Sequence, residues 1–252
     1  MLASTEAIPH AAAMSAIQPL LPPAGDGEEV SVYVANPRAK KSFNTVLDAA
    51  QLFDANGRSV VKTTAVRDGA ERRVLIETKH ALRGGTISET FELSANPRLA
   101  ATRFHRVLVD AEGVTSREER IDFGRGPFRL PEATYPEVML PFVLRWQPFD
   151  AERRSLHAWI VDRFVARVYC EWRGRHEITV PAGRIETVEM MMYPDLNDWV
   201  NLGSMINTLA KPLLPKYRMW FEAAAPHRVV RFEGPYGPPG APEIVLELAS
   251  LS

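Results

Sequence analysis

The feature that most constrains this chain is a run of short alternating segments from Glu28 to Phe123, each closed by a turn signal. Val30–Val34, Ser59–Arg67, Arg72–Lys79, Thr86–Leu93, Leu99–Val109 and Thr115–Phe123 are rich in β-branched and aromatic residues. Asp68-Gly69, Gly84-Gly85, Asn96-Pro97 and Glu112-Gly113 separate them. A period of two with such punctuation predicts an antiparallel barrel or sandwich rather than parallel α/β units. Ser42–Leu52 reads equally as a strand or a short helix.

The second half repeats the pattern. Phe164, Ala166, Val168, Cys170 and Trp172 share one strand face. A hairpin is predicted at Val180-Pro181-Ala182-Gly183, with Gly183 in the left-handed conformation closing a three-residue loop. Further strands are expected over Ser155–Val161, Tyr217–Phe221, Arg228–Glu233 and Glu243–Leu248. Between the halves, 124–148 is a Pro-rich linker. Its apolar run Val138–Trp146 reads as a short helix between prolines, either at a boundary or as a strap across one barrel.

The segment Pro194–Pro215 breaks the β pattern. Trp199, Leu202, Ile206 and Leu209 fall on one face at helical spacing, which predicts an inserted amphipathic helix. The sequence does not distinguish a lid from a core element. The expected fold is mainly β, an antiparallel barrel or half-barrel with this one inserted helix. Residues 1–27 read as a flexible leader and 28–252 as one β-rich domain, with 28–123 and 149–252 as possible halves.

The Val180-Pro181-Ala182-Gly183 turn, the strand beginning Met219-Trp220-Phe221 and the strand His227–Glu233 resemble a bacterial domain family of unknown function. Its members are usually exported β-rich proteins shaped like the half-barrels that carry lipoproteins. The resemblance spans roughly Pro141–Leu248. It implies a curved antiparallel sheet with an apolar inner face and supplies no catalytic residues. The export signal expected of that family is missing here, and the Pro194–Pro215 insertion is additional.

With 46% hydrophobic and 24% charged residues among 252, the chain has material for a sizeable core. A net charge of −1 gives no global field toward nucleic acid or anionic membrane. No stretch approaches the about 18 apolar residues of a membrane span. The apolar N-terminal stretch has no Lys or Arg before it, and Cys170 is the single cysteine, so no intramolecular disulfide can form. These features together predict a cytoplasmic protein.

Gly124-Arg125-Gly126 and Gly237-Pro238-Pro239-Gly240 lack the helix and lysine of a phosphate loop. The six histidines are scattered without metal-ligand spacing, so neither a metal nor a cofactor is expected. Cys170 falls on an apolar face, as a structural thiol does.

Polar residues nevertheless fall on mainly apolar strand faces. Glu89 alternates with Ile87, Phe91 and Leu93; Arg103 and His105 with Leu99, Ala101 and Val107; Glu119 with Ile121 and Phe123. On neighbouring strands, Glu89, Arg103, His105 and Glu119 would converge inside the barrel as an acid–base cluster or as ordinary cross-strand pairs. Aromatic residues and methionines concentrate in the second half. Trp172, Met190, Met192, Trp199, Leu202, Ile206 and Trp220 are the candidate apolar ligand contacts, with core packing as the alternative.

Two functions remain open. One is binding or carriage of an apolar small molecule, lipid or peptide under the inserted helix. The other is a cofactor-independent cyclase, isomerase or lyase of secondary metabolism using the inward acid–base residues. A protein–protein adaptor working through strand edges is a third.

Overall fold

The computed structural model describes residues 20, 23, 25–38, 53–124, 130–149, 153–161, 164–195, 216–236 and 243–251. They form one sheet of thirteen strands in the order β6-β5-β4-β3-β2-β1-β13-β12-β11-β10-β9-β8-β7. The strands are β1 (Gly27–Pro37), β2 (Gly57–Asp68), β3 (Glu71–Leu82), β4 (Gly85–Ala95), β5 (Leu99–Asp110), β6 (Thr115–Asp122), β7 (Thr134–Pro136), β8 (Arg154–Val161), β9 (Phe164–Val180), β10 (Gly183–Pro194), β11 (Tyr217–Glu222), β12 (Val229–Pro235) and β13 (Glu243–Leu251). Every pairing is antiparallel except β7 with β8. The two halves thus belong to one continuous sheet, joined where β1 pairs with β13.

The sheet curls until its ends meet through side chains rather than a hydrogen-bond ladder. Trp159 of β8 packs against Phe104 of β5 and against Phe123 just past β6, with ring centroids 6.2 and 6.4 Å apart. Leu20, fully buried, bridges the same seam. Its carbonyl accepts from Leu99 N at 2.9 Å, and the Tyr135 hydroxyl donates to the Leu99 carbonyl at 2.7 Å.

The segment joining the halves runs through the lumen. It consists of a 3-10 turn (Glu137–Met139), one turn of α-helix (α1, Leu140–Val143) and a second 3-10 turn (Leu144–Trp146), matching the helix expected over Val138–Trp146. A single isolated helical turn is not stable in water. Here Met139, Leu140, Val143 and Leu144 are completely enclosed by the barrel. At about 1.5–3 kcal/mol for each large apolar side chain, burial rather than helix propensity holds the segment. Arg145 anchors its far end, bonded bidentately to Glu29 at 2.7 and 2.9 Å and to the Pro226 carbonyl.

The hairpin at Val180–Gly183 differs in detail from expectation. Gly183 already pairs with Val180, so the loop is the two residues Pro181-Ala182, and Gly183 opens β10 with φ +123°. Such a backbone suits glycine, so Gly183 is needed as expected, one position later in the turn. The strand pattern stops at Pro194 and resumes at Tyr217. The predicted helix carrying Trp199, Leu202, Ile206 and Leu209 lies outside the described residues. No helix among the described residues is long and apolar enough to cross a membrane.

Candidate functional site

The lumen has two unlike ends. At the end where β1 finishes and β2 begins, polar side chains gather inside. The ends of β10 and β12 and the starts of β11 and β13 lie at this same end. The opposite end is closed by Phe149, Trp172, Phe221 and His227, with Phe149 4.6 Å from Trp172 and 4.2 Å from His227 between ring centroids.

Glu89 is the centre of the polar end. β4 alternates without interruption around it, and Glu89, Phe91 and Leu93 all point inward, as the sequence pattern predicts. The side chain is only 1% exposed, yet every acceptor position is filled. Its Oε1 takes a fork from Arg106, Nε at 2.8 Å and the terminal nitrogen at 2.7 Å. Its Oε2 accepts from the Thr78 hydroxyl at 2.9 Å and the Tyr236 hydroxyl at 2.6 Å. Tyr236 in turn meets His80 Nε2 at 2.8 Å, and His80 Nδ1 meets the Ser59 hydroxyl at 2.9 Å. Since Tyr236 donates its one proton to Glu89, the hydrogen between Tyr236 and His80 belongs to Nε2. Phe53 closes this chain edge-on against both rings.

Burial alone would raise the Glu89 carboxyl. The Arg106 charge, with the nearby His80 ring and the bond from Tyr236, outweighs it and brings the group down to about 2. Burial and the Glu89 charge hold the Tyr236 phenol well above its ordinary value. Arg106 also reaches Glu119 of β6 at 3.5 Å. Glu89 and Glu119 are thus brought together, as predicted, but through Arg106.

Arg103 and His105 do not join them. The structure places both on the outer face, correcting the sequence reading. Glu92 pairs with Arg103 while Leu93 pairs with Ala101, so Thr102 is the extra residue of a β-bulge. The bulge reverses which residues point inward: Leu99 faces the core before it, and Phe104 and Arg106 after it. Arg103 bonds Glu92 at 3.1 Å and His105 bonds Glu118 at 2.8 Å, both beside a shallow outer cleft of about 430 Å³.

A second carboxyl, unsuspected from the sequence, lies in the same lumen. Glu137 begins the helical segment and is 7% exposed. Its Oε1 accepts from the Tyr217 hydroxyl, and its Oε2 has no hydrogen-bond partner among the described residues. Burial raises the carboxyl to about 7, although the Tyr217 bond and the Arg106 charge both oppose this. Burial and Glu137 also raise Tyr217 well above the ordinary phenol range. Tyr217 pairs with Met192 and lies over Gly234, where a Cβ would come within 2.8 Å of its ring.

The remaining candidates are distributed around the wall. Met190 and Met192 are buried on the inner face, and Gln147 donates to the Met190 sulfur at 3.2 Å. Trp172 is inside, at the aromatic end. Trp220 is on the outer face, opposite Glu189 and Arg231 in the neighbouring strands, with the Arg218 guanidinium 4.7 Å from its ring centroid. Cys170 is buried, and burial pushes its thiol up to about 12. No group of three metal-binding side chains occurs among the described residues.

Of the residues missed, His80 had a readable signal: it continues the inward alternation Val74, Ile76, Thr78. Arg106 was hidden by the bulge. Tyr236 follows the last residue of β12, and Glu137 precedes an apolar run, so neither carries a strand period.

No family model matches this chain, and no curated protein matches it. Among the solved structures to which this chain is similar are three bacterial proteins. One is an exported protein with a YmcC-like fold from Bacteroides fragilis, at 12% identity over 93% of this chain and 100% of that one, TM-score 0.36. The second is described as a lipoprotein of Parabacteroides distasonis, at 9% identity, 94% and 100% coverage and TM-score 0.33. The third is a β-barrel-like protein of the domain of unknown function DUF1849 from Brucella abortus, at 9% identity, 94% and 99% coverage and TM-score 0.42.

These neighbours also correct the cytoplasmic expectation, since two of them are described as an exported protein and a lipoprotein. The expectation leaned on the lone cysteine and on the lack of Lys or Arg before the apolar N-terminal stretch. Cys170 is a buried packing residue that has no disulfide to form in any compartment, so it says nothing about location.

Proposed function

We propose that this barrel binds an apolar or amphiphilic small molecule, such as a lipid, at the polar end of its lumen. The observation that favours binding over catalysis is the state of Glu89. A carboxylate brought down to about 2, with both oxygens occupied, neither gives nor takes a proton near neutral pH. It behaves as a fixed floor for the lumen, tying β3, β4, β5 and the end of β12 together. Met192 and the Tyr217 ring supply adaptable apolar wall beside it.

Native mass spectrometry of freshly purified protein tests this reading. A small molecule should be retained in defined stoichiometry and recovered by organic extraction. If nothing is retained, and an apolar fluorescent probe neither gains emission with the protein nor is displaced by lipid chains, the reading fails.

The enzyme reading keeps one observation in its favour, the Glu137 carboxyl near 7, a suitable value for acid–base work. It would move the chemistry from Glu89 and His105 to Glu137. Turnover lost in Glu137→Gln at unchanged ligand affinity would establish it.

A further inference from the structure

Among the described residues, Glu137 is a buried inward carboxyl with one oxygen left without a hydrogen-bond partner. Its Oε1 is held by Tyr217, which fixes the direction of the group. Its Oε2 is buried and unpartnered among the described residues. An unmet buried acceptor costs about 1–3 kcal/mol, more for a charged one, so such groups call for a specific reason.

The charges around it indicate what would fill it. The groups acting on Glu137 are Tyr217 from β11 and Arg106 from β5. Arg106 is already committed, forked onto Glu89 and reaching Glu119. Arg117, next along the inward face of β6, is exposed. Among the described residues, Glu89, Glu119 and Glu137 therefore share the part-buried Arg106 guanidinium. An anionic head would add a fourth negative group to this set. A neutral hydroxyl could fill Oε2 but would leave the excess of negative charge as it is. A cationic donor would fill the acceptor and balance the excess together. The wall beyond Tyr217 is apolar, made by Met192 and Phe232.

We propose that Glu137 is the head-group anchor of a site for amphiphiles carrying a primary ammonium, with Oε2 receiving the N–H donor and Met192 and Phe232 contacting the chain. This rests on the lumen-binding reading above and gives it a chemical class. Glu89 is the floor of the site and Tyr217 its positioning residue.

The test compares three twelve-carbon chains that differ only in the head: dodecylamine, dodecanol and dodecanoate. Each is used below its micelle concentration to displace an apolar fluorescent probe from the full chain at pH 7.5. Dodecylamine should displace at a concentration at least tenfold lower than the other two. In Glu137→Gln that preference should vanish. Gln keeps an oxygen for the Tyr217 bond, and the circular dichroism melt verifies folding. Equal displacement by all three, or tightest binding of dodecanoate, overturns the ammonium site and leaves lumen binding standing. Failure of every chain to displace or bind overturns both. The comparison of heads on the unmodified protein decides the matter even if the variant does not fold.

Discussion

Glu89 and Glu137 are both buried carboxyl groups in one lumen, and their surroundings give them opposite properties. Glu89 meets a guanidinium fork and two hydroxyls, and charge compensation exceeds desolvation. Glu137 meets one phenol, and desolvation exceeds everything else. The comparison separates burial from function. A buried charge that is fully answered is architecture, whereas one left half answered is a place where a ligand or a proton can go.

Glu89→Gln should break the comparison most severely. It removes the charge that answers Arg106 and leaves Glu119, at 3.5 Å, as its counter-ion, and losing one partner of a buried pair costs about 3–5 kcal/mol. Urea unfolding at pH 7 would measure this. Glu89→Leu combined with Arg106→Leu should cost clearly less than Glu89→Gln, because no orphaned charge remains. If Glu89→Gln costs under about 1 kcal/mol, the fork does not hold the barrel end. The wild-type contribution also depends on pH. The native Glu89 value lies below the ordinary 4.5, so its stabilisation is complete above pH 4.5 and lost as pH falls toward 2.

Glu137→Gln should act in the opposite direction. The native Glu137 value lies above 4.5, so its share of stability is complete below pH 4.5 and is lost as pH rises through 7. Removing the ionisable group should therefore stabilise the protein at pH 8, by at most about 3 kcal/mol, and change little at pH 4. Chemical denaturation of both proteins at pH 4, 6 and 8 would show the difference opening with pH. A constant offset across that range would mean Glu137 is not desolvated as the structure has it. Bound ammonium amphiphile should shrink the gain at pH 8, because it stabilises the ionised wild type.

Tyr236→Phe sharpens the comparison at smaller scale, since it takes one donor from Glu89 and leaves the Arg106 fork intact. Both the bond to Glu89 and the bond from His80 disappear, for an expected loss of about 2 kcal/mol. The thermal midpoint should drop by several degrees, with the acid limb of the stability curve moving to higher pH as Glu89 loses part of its support. An unmoved acid limb would show that Arg106 alone sets the state of Glu89.

How much of this could be read from the sequence follows from where period-two alternation survives. β2, β3 and β4 pair in uninterrupted register, so the barrel, Glu89 and the inward face of β3 were all legible. Glu119 was legible for the same reason over β6. The helical segment showed as an apolar run between prolines, but its course through the lumen did not. That course depends on the enclosing sheet, which puts Glu137 beside Tyr217, 80 positions away in the chain. Long-range partners of this kind leave no local period to detect.

His105→Ala should have the smallest effect, and for an instructive reason. The β5 sequence reads as one continuous alternation from Leu99 to Val109, which would put His105 inside and Phe104 outside. A single extra residue, Thr102, inverts that order. Its hydroxyl donates to the Glu92 carbonyl at 2.9 Å and its carbonyl accepts from Phe123 N at 3.0 Å, so the bulge is fixed by its own bonds on both sides. Phe104 then enters the core beside Phe91 and Trp159, and Arg106 reaches Glu89. His105 is left facing solvent in a cross-strand pair with Glu118, a contact whose removal changes stability by less than about 0.5–1 kcal/mol. The same substitution should leave retention of any lumen ligand unchanged in native mass spectrometry. A large loss of stability or of ligand with His105→Ala would mean that the bulge is absent in solution and that the face order of β5 is the one its sequence spells.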